Sequence, residues 1–165
     1  MNWCVCGDII LTPKMPYIVN NEEVYIMALT DREMQLVTES FKKVAPIADE
    51  AAALFYNRLF EIMPETQALF RGTDMREQGR KLMQTLATAV GSLGRIDRIE
   101  QDIKSLGKRH IAYGVRQEHY AMVGQALLWT LGQALGDEFD DDMKTAWTTV
   151  YTALADLATS VYTDN

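Results

Sequence analysis

One side chain in this sequence combines a chemically capable group with a suggestive setting. His110 is one of two histidines, and it closes an apolar row of Ile96, Ile99, Ile103 and Leu106 that recurs at steps of three and four. Residues so spaced share one helical face, so the imidazole points inward with them. A neutral imidazole facing an apolar space is a common metal ligand and the usual protein ligand of haem iron. Spacing alone leaves the alternative open, a hydrogen-bonded core histidine. The cysteines offer less. Cys4 and Cys6 are separated by a single residue, too close for an ordinary disulfide and too few for a four-ligand zinc site. They read as a reduced pair.

Holding an inward imidazole requires helices, and from Thr30 onward the spacing predicts them. Thr30-Asp-Arg-Glu33 is a capping-box pattern, followed by Met34, Val37, Phe41 and Val44 on one face, with Pro46 closing or restarting the helix. A second helix runs over about 47–62 with Ala51, Leu54, Phe55, Leu59 and Ile62 as its apolar side. Pro64 opens a short helical turn ending near Phe70, and Asp74 with Glu77 marks the next helix start. Met75, Gln78, Leu82, Leu86 and Leu93 then face broadly inward, and Gly94 stops that helix. After the His110 helix, Tyr113-Gly-Val breaks the pattern, and two long helices follow over about 118–135 and 141–162. The expected fold is all-α, with about six to eight helices of unequal length rather than a four-helix repeat.

Residues 1–26 differ: they carry Pro13 and Pro16 and no sustained helical period. We read them as an extension, open to disorder, outside a main domain of residues 27–165, with Met27 as an alternative start. A chain of 165 residues suits one domain with a sizeable core. Its formal charge of -7 argues against nucleic acid as the main partner. No uncharged run approaches the roughly 20 residues that span a bilayer. The first residues lack the basic leader and unbroken apolar stretch of a secretory signal. The expectation is a soluble, cytoplasmic protein without a membrane partner.

Three segments then combine. Phe55-Tyr-Asn-Arg-Leu-Phe-Glu-Ile-Met-Pro-Glu-Thr-Gln-Ala-Leu-Phe70 resembles the second-to-third-helix segment of globins. Leu106 to Gly124, with Lys-Arg-His-Ile-Ala-Tyr-Gly-Val and His119-Tyr-Ala-Met-Val-Gly, resembles the proximal segment of bacterial single-domain globins, flavohaemoglobins and neuroglobin-like proteins. Ala146-Trp147 with Tyr151 matches the same families in the last helix, and the likeness spans about Leu29 to Tyr162. It implies a three-over-three globin fold binding haem b, with His110 as the proximal iron ligand and Phe70 packed on the porphyrin. It further places Tyr56 and Gln78 in the distal pocket, Leu82 beside the bound gas, and Leu106, Val115 and Val123 along the proximal side and rim. Tyr120 matches the tyrosine that supports the proximal histidine in flavohaemoglobins. The matching glutamate of the last helix is replaced by Tyr162, which weakens a peroxidase-type reading. By the same likeness His119 lies on the outer surface, while Lys81 and Arg109 are solvated or pair with haem propionates.

The resemblance implies a binding protein first. Tyr56 and Gln78 offer an O–H and an amide N–H to the charge that develops on bound dioxygen, so tight, reversible oxygen binding for storage, transport or scavenging is expected, with carbon monoxide gaining less. Gln78 in place of a distal histidine predicts an open sixth iron position. The alternative is an enzyme, a nitric oxide dioxygenase or related nitrogen-oxide detoxifier dependent on a separate reductase: the chain ends at Asn165 without a Gly-rich dinucleotide fingerprint. A gas sensor is the least favoured reading. Monomer and homodimer are both compatible with the sequence.

Overall fold

The computed structural model describes residues 29–162; the proposed extension, Cys4 and Cys6 lie outside them. Six α-helices follow in order: α1 Asp31–Val44, α2 Ala48–Ile62, α3 Met75–Gly91, α4 Glu100–Ala112, α5 His119–Leu135 and α6 Asp141–Thr159. Short 3-10 turns cover Ala45–Ile47, Pro64–Phe70, Leu93–Arg98, Gly136–Glu138 and Ser160–Tyr162. Among the described residues there is no strand, and no helix is long and apolar enough to cross a membrane.

The local start signals act as their chemistry predicts. Thr30 Oγ1 accepts from the Glu33 amide at 3.2 Å while the Glu33 carboxylate accepts from the Thr30 amide at 2.9 Å, satisfying two donors that a helix start leaves open. The Thr30 bonds hold the Glu33 carboxyl below its usual range. Asp74 caps α3 by accepting from the Arg76 and Glu77 amides, and Asp140 caps α6. Pro46 and Pro64 each sit in the first positions of a 3-10 turn, where a missing N–H costs nothing.

The helices stack in two layers, α1, α3 and α4 over α2, α5 and α6. Within the second layer α2 packs on α5 and α5 on α6, and across the layers α1 and α4 meet α6 while α2 meets α3. The α1–α6 contact is pinned by a buried polar pair: Trp147 Nε1 donates to Ser40 Oγ at 2.9 Å, and that hydroxyl donates onward to the Leu36 carbonyl at 2.7 Å. Val37, Trp147 and Val150 around it are almost completely buried. The α4–α6 contact depends on Gly107, where a Cβ would sit 2.1 Å from the Ala158 carbonyl oxygen. Only a glycine lets these backbones approach so closely.

Two expectations about the His110 helix change. Its apolar row does not lie on one continuous helix, because α4 begins only at Glu100, after a 3-10 segment that holds Ile96 and a turn at Ile99 (φ -108°, ψ 0°). Ile96 falls in the 3-10 segment and Ile99 in the turn that ends it, yet both are as buried as Ile103. Burial, not helical continuity, keeps the stripe together. The preceding helix ends at Gly91 rather than Gly94.

Candidate functional site

His110 occupies the last turn of α4. Gly114 follows in the left-handed region (φ 86°) and turns the chain back, so that the Val115 amide donates to the His110 carbonyl at 2.9 Å. The His110 ring is held from its own helix, with Nδ1 2.8 Å from the Leu106 carbonyl oxygen. A carbonyl only accepts, so Nδ1 carries a proton, and in the neutral ring Nε2 then keeps its lone pair. That is the tautomer a metal-ligating imidazole needs.

Tyrosines pack behind that ring. Tyr120 lies 6.1 Å from it between ring centroids, and Tyr162 meets Tyr120 edge-on, also at 6.1 Å. The Tyr162 hydroxyl donates to the Val115 carbonyl at 3.0 Å, and the Tyr151 hydroxyl donates to the Tyr120 carbonyl at 2.6 Å. Burial, then the neighbouring Tyr162 phenol, pushes the Tyr120 phenol well above its ordinary range. Tyr151 moves the same way, again through burial first. The acceptor on His110 Nδ1 is a neutral carbonyl, and Tyr162 serves as a strut joining the Ser160–Tyr162 turn to the turn after α4.

On α2 and α3 a second polar pair forms. The Gln78 amide donates to the Tyr56 hydroxyl oxygen at 3.1 Å. Because Tyr56 accepts in that bond, its own proton stays free for another acceptor. Burial raises the Tyr56 phenol despite the opposing Gln78 bond, so the group remains a neutral donor. Its ring is fixed by Phe55 at 5.0 Å, Phe70 at 5.4 Å and Phe60 at 6.0 Å, and Phe60 also meets Phe70 at 5.4 Å. Phe60 was not among the expected site residues; its i+4 spacing from Tyr56 is the signal that could have found it.

The apolar candidates differ from the core in one respect. Phe70, Leu82, Leu106, Val115 and Val123 are all half-buried, as are Gln78, His110 and Tyr120. Core neighbours such as Leu59 and Ala126 are almost completely covered. Lys81 is largely exposed and lies 4.0 Å from Glu77, and Arg109 is exposed. His119 corrects the expectation of a surface histidine: it is buried, with 4% of its surface exposed. Its Nδ1 accepts from the Arg116 amide at 3.2 Å, and its Nε2 has no hydrogen-bond partner. The ring folds back over the turn that starts α5, which position in a helix could not reveal.

Among the described residues no group of three His, Cys, Asp or Glu could hold a bare metal ion. A lone imidazole with a free Nε2 instead suits a metal that brings its own ligands, as an iron porphyrin does. The half-covered apolar side chains suit the porphyrin's faces and edges.

Comparison with known proteins agrees. The chain is similar to the flavohaemoprotein of Bordetella pertussis, 36% identical over 70% of this chain and 30% of that one. It is also similar to the flavohaemoprotein of Oceanobacillus iheyensis, 29% identical over 75% and 32% of the two chains, so it spans about a third of the length of these relatives. Neuroglobin-1 of Oncorhynchus mykiss is 28% identical, covering 75% of this chain and 86% of that protein. Among solved structures, an engineered carbene transferase made from a candidate nitric oxide dioxygenase of Rhodothermus marinus superposes with a TM-score of 0.74. That match is 26% identical and covers 82% of this chain and 94% of the other. The family model Globin matches residues 53–157, most of the two-layer fold with Tyr56, Gln78 and His110 within it, and the chain belongs to the globin family.

Proposed function

We propose that this globin holds haem b through His110 and reversibly binds dioxygen with high affinity. Haem, when bound, would supply the iron chemistry of reversible dioxygen binding. His110 presents Nε2 to the iron while the Leu106 carbonyl fixes the ring's tautomer and rotation. Phe70, Leu82, Leu106, Val115 and Val123 exclude water from the macrocycle, and Tyr120 backs the imidazole. The observation that carries the reading is the direction of the Tyr56–Gln78 bond. It fixes the phenol yet leaves its proton to donate to a charged acceptor. Such a bond is worth about 1.5–3 kcal/mol, a factor of roughly ten to a hundred in affinity.

The relatives favour a second reading. The flavohaemoproteins and the Rhodothermus protein support nitric oxide dioxygenation, in which nitric oxide, dioxygen and one electron from a separate reductase give nitrate. Tyr56 and Gln78 would serve it by the same donation. Stopped-flow mixing of the oxygenated ferrous protein with nitric oxide, with and without reductant, decides between the two. A slow oxygen off-rate with a single turnover supports binding; sustained nitrate formation with reductant supports the enzyme. An off-rate equal to that of the Tyr56→Phe variant would overturn the donor role on which both readings rest.

A further inference from the structure

Although 24% of the chain is charged, α5 carries no charged side chain over its 17 residues. Every other described α-helix carries both acidic and basic ones. Complete burial would explain this, but α5 keeps an open side. Ala121, Gln125 and Gln133 are exposed, and Leu128, Trp129 and Gly132 are half-buried. Their spacing of three and four places them on one outward stripe. The neighbouring α6 continues it, with no charge from Thr145 to Ala155. There the Thr148 hydroxyl donates back to the Lys144 carbonyl at 2.7 Å, which leaves the methyl group for outward contact. On the other flank the Arg58 guanidinium of α2 lies 5.2 Å from the centre of the Trp129 ring. Tryptophan and arginine are the types on which interface energy concentrates.

We propose that this face joins two copies of the chain about a two-fold axis that sets their α5 helices antiparallel. Charge selects a second copy as the occupant. Each copy has a formal charge of -7, so two copies repel except where they meet on a surface with no charge to oppose. The ends of α5 supply attraction. Exposed Arg116 stands just before the helix and exposed Asp137 just after it. A two-fold contact repeats each pairing twice, so Arg116 of each copy comes level with Asp137 of the other. That register also brings Gln125 level with Leu128 and Ala121 level with Gly132. The small pair lets the helices approach closely, and antiparallel helix dipoles attract. The charge-free strip is about 18 Å long and, at about 10 Å per helix, about 20 Å wide. That is below the roughly 800 Å² each partner gives a standard interface, so the dimer is reversible.

The test is sedimentation equilibrium of the full chain over a concentration series at low salt, and it does not depend on the gas-binding reading. A monomer–dimer equilibrium with a micromolar Kd is expected. Gln125 is exposed, so Gln125→Glu leaves the core alone, sets two carboxylates near the axis and should raise Kd roughly tenfold or more. Thr148→Glu is an independent probe on α6 with the same expected direction. Arg116→Asp and Asp137→Arg should each weaken the dimer, and the double variant, with the charges exchanged, should restore it. Far-UV circular dichroism confirms that each variant keeps its helices. A monomer at every concentration up to about 1 mM would overturn the proposal and leave the face to a different partner. A dimer indifferent to both Gln125→Glu and Thr148→Glu would place the contact elsewhere and overturn it equally. Failure of the exchanged pair to restore association would overturn the antiparallel arrangement.

Discussion

Replacing Gly107 with alanine sets helix propensity directly against tertiary packing. The new Cβ would sit 2.1 Å from the Ala158 carbonyl oxygen, 3.0 Å from its carbon and 3.1 Å from Val161 Cγ2. Even close carbon–oxygen contacts lie at about 3.3–3.6 Å, so α4 and α6 must part by roughly 1.2 Å. The obstructing atom belongs to a helical backbone and cannot rotate away. Overpacking of this kind costs about 1–3 kcal/mol, whereas alanine in a helix interior recovers about 1 kcal/mol over glycine. With a backbone clash at the upper end of that range, we expect a net loss of about 2 kcal/mol, or roughly 4–8 °C in Tm for a domain of this size. Gly91→Ala is the control, since a Cβ there meets nothing within 4 Å and should be neutral or stabilising. His110 lies three residues beyond Gly107 on α4, so displacement of that helix should also hasten haem loss, measured by transfer to an excess of a haem-free acceptor globin. Urea unfolding gives the stability change. A Gly107→Ala protein as stable as the parent, with unchanged haem loss, would refute the close α4–α6 crossing as the element that seats His110.

His110→Ala should lose haem or hold it loosely; an unchanged absorption spectrum and haem content would refute the ligand assignment. Tyr56→Phe should raise the oxygen off-rate about tenfold or more, equivalent to about 1.4 kcal/mol, with a much smaller effect on carbon monoxide release. Equal effects on both gases would mean the tyrosine acts by shape. The ferrous protein without added ligand should be five-coordinate, and Lys81→Ala should leave its spectrum unchanged because Lys81 is 65% exposed beside Glu77. Stability should fall above pH 10. Burial raises the phenols of Tyr56, Tyr120 and Tyr151 above their ordinary value of 10.0, so the folded chain binds those protons more tightly than the unfolded one. Their contribution is complete below that pH and is lost as pH rises through the folded values. Thermal melts at pH 9 and pH 11 should show the drop, and Tyr151→Phe should make it shallower; a flat profile would contradict the burial.

Much of this protein is written in short-range spacing. The Thr30 and Asp74 caps, the Pro64 turn and the inward Ile103–Leu106–His110 row rest on contacts three or four residues apart, which a linear sequence displays directly. The Leu106 carbonyl that orients His110 lies one turn back on the same helix, yet the sequence pattern marks Leu106 only by its apolar side chain. The Tyr56–Gln78 bond joins positions 22 residues apart, and only the likeness to globins brought those two residues together in advance. The break at Ile99, ahead of α4, escaped the periodicity because Ile96 and Ile99 stay buried on either continuation. Three further features belong to tertiary structure alone. His119 is buried by the turn ahead of α5, Tyr162 reaches the Val115 carbonyl 47 residues away, and Gly107 touches a helix that starts more than thirty residues later. In each the deciding atom is a backbone group or ring on a distant segment, and no local pattern of residue types encodes its position.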